Sequence, residues 1–172
     1  MFIVGRTVVI MTPEGFRNPN TVKNWWYFVS QYQVCWFPTV PTIMSVLLQQ
    51  PHEEIDLSCF EYAACGSAPL PLELKLSFQR RFNCSVTNGY GMTESSCLIA
   101  RVLPGSDIKG VAVGNGIPYS RVIAAQLNDN KISRVCNINE PGIILVKGPN
   151  IFQGYLNASD NEGAWVEDEW FN

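Results

Sequence analysis

Apolar and polar positions fall into short blocks along this chain, and the blocks change period. GRTVVIM (5–11) is a brief, β-branched apolar run, the pattern of a buried strand. Turn formers follow in TPEGFRNPN. TVKNWWYFVSQYQ (21–33) then sets Val22, Trp25, Trp26 and Val29 at helical spacing, with Asn18 or Asn20 placed to cap the helix and Pro19 nearby. VCWFPTV (34–40) predicts a second strand. PTIMSVLLQQ (41–50) predicts a helix that Pro51 ends. FEYAACG (60–66) reads as a third strand closed by Gly66. PLELKLSFQRRF (71–82) is an amphipathic helix, and SVTNGYG (85–91) is a fourth strand running into a glycine turn.

Strands and helices therefore alternate, which argues for an α/β fold with a parallel sheet. In such sheets ligands bind at the carboxyl ends of the strands. GSAPLP (66–71) and NGYGMTE (88–94) both fall at such ends. After Leu103 the texture changes to glycines, turn pairs and short apolar runs, with GIILVKG (142–148) as a further strand. The expected organisation is a parallel-sheet βαβ lobe over residues 1–104 and a smaller β-rich lobe over 105–172, truncated at its C-terminal end.

The 172 residues suit one domain or two small lobes. Apolar residues make up 47% and charged residues 16%, enough for a sizeable core and against disorder. The net charge is −3 with no basic run, so no nucleic-acid partner is indicated. The six cysteines show no CxxC pair or zinc spacing and read as reduced, small hydrophobes. Arg6 interrupts the N-terminal MFIVGRTVVIM and no small-residue cleavage site follows it, so no signal peptide is expected, and no run is long enough to span a membrane, so the cytoplasm is the expected compartment. The chain opens within a strand pattern and stops at EDEWFN; the expectation is a piece of a longer protein.

The densest chemistry lies in NGYGMTE. Gly89 and Gly91 flank Tyr90 and let a ligand approach the backbone. Tyr90 offers a flat face to a heterocycle. Thr93 offers a hydroxyl and an N–H to a phosphate oxygen. Glu94 offers a hard oxygen to Mg²⁺, which takes one or two carboxylates together with substrate phosphates. Residue types alone also fit a plain glycine turn with an incidental Thr-Glu pair. Elsewhere the readings are structural. His52 is a solvated loop histidine with no partner motif. Trp25, Trp26, Phe28 and Tyr32 pack a helix, and Trp36 and Phe37 are core or channel residues. The acidic group Asp160, Glu162, Glu167, Asp168 and Glu169 is a solvated loop. Ser95 and Ser96 lack the surroundings of a hydrolase nucleophile.

NGYGMTE resembles the YGxTE signature of the adenylate-forming enzymes, which include acyl-CoA synthetases, luciferases and peptide-synthetase adenylation domains. Further segments agree in the family's order. CGSAPLPLEL resembles GGAPLPxEL, VAVGNGIP resembles SVGxPxP, and PGIILVKGPNIFQGYLN resembles GELxxRGxxxxxGYxN. EDEWFN resembles the run into the family's Thr-Gly-Asp motif, and GRTVVIMTPEGFRNP is similar to bacterial acyl-CoA synthetases. The resemblance spans essentially the whole chain and implies part of the family's large N-terminal domain.

The resemblance also implies roles. Gly66, Ser67 and Ala68 would border the adenine of ATP or AMP, and Asn88, Gly89 and Gly91 would lie near it. Tyr90 would stack on the base, Thr93 would contact the α-phosphate, and Glu94 would help to hold Mg²⁺; Thr93 and Glu94 are the expected catalytic pair. Phe37, Val40, Pro41, Met44 and Met92 would line the acyl pocket. The implied reaction activates a fatty or other hydrophobic carboxylic acid with ATP to acyl-AMP and passes it to coenzyme A, with no protein nucleophile. The family's Ser/Thr/Gly-rich phosphate loop, ribose-binding Asp, hinge, lid domain and catalytic Lys are not in this sequence, and Ile143 stands where the family has a Glu. The chain alone is therefore expected not to catalyse adenylation. The alternatives are an acyl-AMP ligase feeding a carrier protein, a non-catalytic nucleotide-binding remnant, and an unrelated α/β interaction domain.

Overall fold

The computed structural model describes residues 5–106 and 110–172. The chain divides into two compact units, Met1–Asn88 with Leu103–Ala112, and Gly89–Val102 with Val113–Asn172. The fold is mixed α/β, with a parallel βαβ portion followed by a β-rich portion.

In the first unit α1 (Pro19–Lys23) and α2 (Trp25–Gln31) lead into β1 (Trp36–Thr39), α3 (Pro41–Leu47), β2 (Tyr62–Cys65), α4 (Leu72–Phe82) and β3 (Ser85–Tyr90). β1 pairs parallel with β2, and β2 with β3, in the register Trp36↔Tyr62 and Tyr62↔Ser85. Each crossover carries one helix, as parallel pairing requires. α4 forms where its sequence supports one: Glu73 in the first turn and Arg80 and Arg81 in the last complement the helix dipole. Asn83 then ends it in the left-handed region, at φ 47°.

The core of this unit is aromatic. Trp26, 1% exposed, lies 4.0 Å from the Phe82 ring and is also ringed by Phe37, Phe60 and Phe78. Its Nε1 donates to the Leu47 carbonyl at 3.3 Å, so its one polar atom is satisfied. Burying a side chain of this size stabilises by about 1.5–3 kcal/mol or more. Trp25 and Val29 are buried as the helical spacing predicts, and Phe28 is half-buried, but Tyr32 is exposed.

Three expectations need correction here. Residues 5–11 form no strand, and Ile10 is 88% exposed. Apolar content favours burial, but a strand also needs a ladder partner, and 5–11 has none among the described residues. A cavity of 580 Å³ is lined both by Val8, Val9 and Met11 and by Trp36 and Pro38 of β1. The helix expected over 21–33 is interrupted at Asn24, whose Nδ2 donates to the Asn20 carbonyl at 2.9 Å. The Asn24 N–H donates to the same carbonyl at 3.1 Å, so the ladder bond there is kept, and the break is in the Asn24 backbone itself, which leaves helical geometry at φ −102° and ψ 10°. His52 is not a solvated loop residue: its side chain is 19% exposed and packs edge-on against Phe82 at 4.9 Å. The acidic residues near the C-terminus, Asp160, Glu162, Glu167, Asp168 and Glu169, are all exposed in turns, as expected of a solvated loop. Glu167 and Asp168 make a tight turn with both φ positive, Glu167 accepts from the Ile132 N–H at 3.0 Å, and Glu169 pairs with Lys147.

The second unit holds the last two residues of β3, then β4 (Ala100–Arg101), β5 (Asn115–Gly116), β6 (Arg121–Asn128), β7 (Lys131–Val135), β8 (Ile143–Lys147), β9 (Trp165–Val166) and β10 (Trp170–Phe171). Its main sheet runs in the order β7-β6-β8-β10-β9. The β6–β7 hairpin turns on Asp129 and Asn130, at φ 48° and 57°, the two left-handed residues that a two-residue hairpin turn demands. Residues 107–109 of the expected β-rich stretch lie outside the described residues. Among the described residues no helix is long and apolar enough to cross a membrane.

Candidate functional site

In the first unit β2 delivers the loop that starts at Gly66. The Gly66 N–H donates to the Thr39 carbonyl at 3.2 Å, which extends the ladder one step past the strand. Ser67 is left-handed at φ 63°, and Ser67 and Ala68 are exposed. Leu70 is buried and anchors the far end of the loop before α4. Asn88 pairs with Cys65 across β2 and β3, which places it beside this loop. Its side chain is buried, and Nδ2 donates to the Val111 carbonyl at 2.7 Å. Gly66, Ser67, Ala68 and Asn88 are thus brought to the carboxyl ends of two adjacent parallel strands.

The expected acyl residues of this unit have different surroundings. Phe37 and Met44 are buried in the aromatic core, with Phe37 stacked on Phe60 at 5.2 Å. Pro41 is buried at the first turn of α3, and Val40 is half-buried at its N-cap. Of these four, Phe37 alone borders the 580 Å³ cavity.

In the second unit Gly89 and Tyr90 pair antiparallel with Arg101 and Ala100. Tyr90 and Met92 are half-buried and pack on the cluster of Ile99, Ala100, Val146, Ile151 and Phe171. Gly91 is required by its own chain: a Cβ there would overlap the Cys97 carbonyl. Thr93–Ser95 then form one 3-10 turn. Ser95, fully buried, closes that turn, as its Oγ donates to the Met92 carbonyl at 2.9 Å and accepts from the Met92 N–H at 3.2 Å. Thr93 is left exposed and Glu94 half-exposed.

Sequence reasoning overlooked a second segment that grips this turn. Asn150 Nδ2 donates to the carbonyls of Ser95 at 3.0 Å and Leu98 at 3.3 Å. The Phe152 N–H donates to the Glu94 carbonyl at 2.8 Å. The Tyr155 phenol donates to Glu94 Oε1, also at 2.8 Å. The Glu94 N–H holds the Glu94 carboxyl below its ordinary range, and the Tyr155 phenol adds to that. Reciprocally, the hydrogen bond to Glu94 pushes the Tyr155 phenol up. Tyr155 stands inside GPNIFQGYLN, a segment conspicuous in the sequence. Its contact with Glu94 crosses 61 positions, and no local pattern reveals that.

A divalent cation fits this donor set. Among the described residues no three His, Cys, Asp or Glu side chains group as a metal cage. The turn instead offers one ionised carboxylate, the protein share that Mg²⁺ takes when phosphates supply its other oxygens.

The sequence model described as "AMP-binding enzyme" matches residues 1–156. A marinolic acid–CoA ligase of Pseudoalteromonas sp. is 35% identical over 169 residues, which cover 98% of this chain and 26% of that protein. A long-chain-fatty-acid–CoA ligase of Bacillus subtilis is 31% identical over 144 residues, covering 83% of this chain and 25% of that one. The solved o-succinylbenzoate coenzyme A synthetase of Bacillus subtilis, in complex with ATP and magnesium ion, superimposes with a TM-score of 0.71 at 25% identity. It covers 88% of this chain, which covers 30% of it. The chain spans about a quarter of the length of the curated relatives it matches.

Proposed function

The chain belongs to the AMP-binding enzyme family, and on that premise we propose that it is part of an ATP-dependent acyl-CoA synthetase, with Thr93 and Glu94 at its phosphate-handling turn. The observation that carries the reading is this turn: an exposed threonine hydroxyl next to an ionised, hydrogen-bonded carboxylate. The proposed substrates are a hydrophobic carboxylic acid, ATP and coenzyme A. The similar marinolic acid–CoA and long-chain-fatty-acid–CoA ligases support a fatty acid as the first of these.

In the proposed reaction a carboxylate oxygen attacks the α-phosphorus of ATP. The bond to the bridging oxygen breaks, and pyrophosphate leaves with its electron pair. The coenzyme A thiolate then attacks the acyl carbon, and AMP departs. Thr93 donates its hydroxyl hydrogen to an α-phosphate oxygen. Glu94 holds Mg²⁺, which when bound offsets the charge of the phosphates. Tyr90 offers a ring face to the adenine, and Gly66, Ser67, Ala68, Asn88, Gly89 and Gly91 take the base-bordering roles that the resemblance gives them. Phe37, Val40, Pro41, Met44 and Met92 are proposed for the acyl side. All six cysteines carry free thiols, which supports a cytoplasmic, reducing setting.

The test is acid-dependent exchange of labelled pyrophosphate into ATP by the intact protein, with a panel of fatty acids. Thr93→Ala and Glu94→Gln should each lower the exchange rate by about 10²–10³-fold. Unaltered exchange in both variants would end the reading. Exchange that proceeds without acyl-CoA formation would point to a carrier-protein acceptor instead.

A further inference from the structure

Glu94 is held at two separate atoms by one loop. Its backbone carbonyl accepts from the Phe152 N–H, and its carboxylate accepts from the Tyr155 phenol, both at 2.8 Å. Two attachments on one residue fix an orientation; one would fix only a distance. Tyr155 is itself placed from three directions. Its N–H donates to Asn161 Oδ1 at 2.8 Å, and its carbonyl accepts from Asn161 Nδ2 at 3.1 Å. Its ring stands edge-on against Phe152 with centroids 4.7 Å apart. Asn161 Nδ2 also donates to the Asn157 carbonyl at 3.2 Å, which closes the loop on itself.

We propose that Tyr155 is a positioning residue, its phenol holding the Glu94 carboxylate in the orientation that receives the divalent cation accompanying ATP. This rests on the reading of Glu94 as the metal-holding carboxylate. The choice of donor follows from charge. A Lys or Arg at this position would orient the carboxylate but would also neutralise it and repel a cation. Among the described residues no Lys, Arg or His forms an ion pair with Glu94. A phenol orients without cancelling charge. It occupies one lone pair of a carboxylate that has about four such sites. Partners that hydrogen-bond a metal ligand in this way set its geometry and strengthen binding.

The experiment measures Mn²⁺ binding to the intact protein with ATP present, by electron paramagnetic resonance, across pH. Tyr155→Phe keeps the ring against Phe152 and removes the oxygen. It should weaken Mn²⁺ by about tenfold, move the acid limb of the binding curve to higher pH, and leave the melting temperature and metal-free ATP affinity near wild type. A role confined to stapling the loop would lower the melting temperature and leave the pH limb in place; that result overturns the proposal. Glu94→Gln runs in parallel. If it weakens Mn²⁺ and Tyr155→Phe does not, positioning is wrong and the metal reading stands. If Glu94→Gln leaves Mn²⁺ binding unchanged, the metal reading fails and takes the proposal with it. Should Tyr155→Phe not fold, Asn161→Ala, which frees the backbone of Tyr155, must weaken Mn²⁺ in the same direction, and unchanged binding there overturns the proposal.

Discussion

Lys75 of α4 points its ammonium at the Gly110 carbonyl, 2.7 Å away, although the residue is only 8% exposed. The long aliphatic stem is covered and the charged head is spent on one backbone oxygen. Asn88 bonds the neighbouring Val111 carbonyl, so two side chains of the first unit tie down consecutive residues of the 103–112 segment. Lys75→Ala should lower stability by about 1.5–3 kcal/mol, the usual loss for a hydrogen bond made by a charged group. Urea denaturation measures it. Lys75→Met, which keeps the stem, should lose less, and an equal loss would show that the stem contributes nothing.

The two glycines that flank Tyr90 should respond differently to alanine. A methyl at Gly91 would overlap the Cys97 carbonyl, which is backbone and cannot swing away. A methyl at Gly89 would meet the Ala100 carbonyl oxygen at 3.4 Å, an ordinary contact. Gly91→Ala should therefore cost about 1–3 kcal/mol, as overpacking does, and Gly89→Ala far less. Thermal melts of the two variants check this. Equal melting temperatures would mean that the turn yields more easily than its backbone contacts indicate.

The thiols should also separate. Burial pushes Cys65 up to about 11 and Cys84 up to about 12, whereas Cys97 lies exposed. The thiolate is the reacting species. Labelling with a disulfide reagent near pH 8 should modify Cys97 first. Cys65 and Cys84 should react on the order of a hundredfold more slowly until denaturant is added. Mass spectrometry of peptides taken during the reaction gives the order directly.

Much of the first unit was legible because its punctuation is chemical. Gly66 closes the strand β2 and Pro71 caps the start of α4, and β1, β2, α3, α4 and β3 fall inside the predicted spans, α3 ending at Leu47 ahead of Pro51. The misses share a cause. Residues 5–11 carry a strand's composition, but pairing is a long-range fact that composition does not contain. Asn24 looks like one more helical position until its backbone is seen to leave helical geometry. His52 was read from its charged neighbours, yet its ring is decided by Phe82, thirty positions away. The candidate site divides in the same way. Thr93 and Glu94 announce themselves by residue type within one short turn. Tyr155, Phe152 and Asn150, which hold that turn, reach it only through the fold of the second unit.

The β7–Pro141 region carries a pH dependence whose sign is fixed. Arg134 forms a two-pronged ion pair with Glu140, and the Asn137 N–H also donates to Glu140, at 3.0 Å. The hydrogen bond from Arg134 is the largest influence, and together with the Asn137 N–H it holds Glu140 down to about 2, against an ordinary 4.5. A carboxyl that is more acidic folded than unfolded stabilises the fold above the unfolded value and loses that contribution as pH falls. The loss should run from about 4.5 down to about 2. Arg134 is exposed and Glu140 half-exposed, so salt screens the pair and the effect should shrink in high salt. Arg134→Met should return the Glu140 carboxyl towards its ordinary range. A carbon-13 NMR titration of the side-chain carboxyls reads both midpoints, and a Glu140 midpoint unmoved by the substitution would assign the shift to the Asn137 N–H alone.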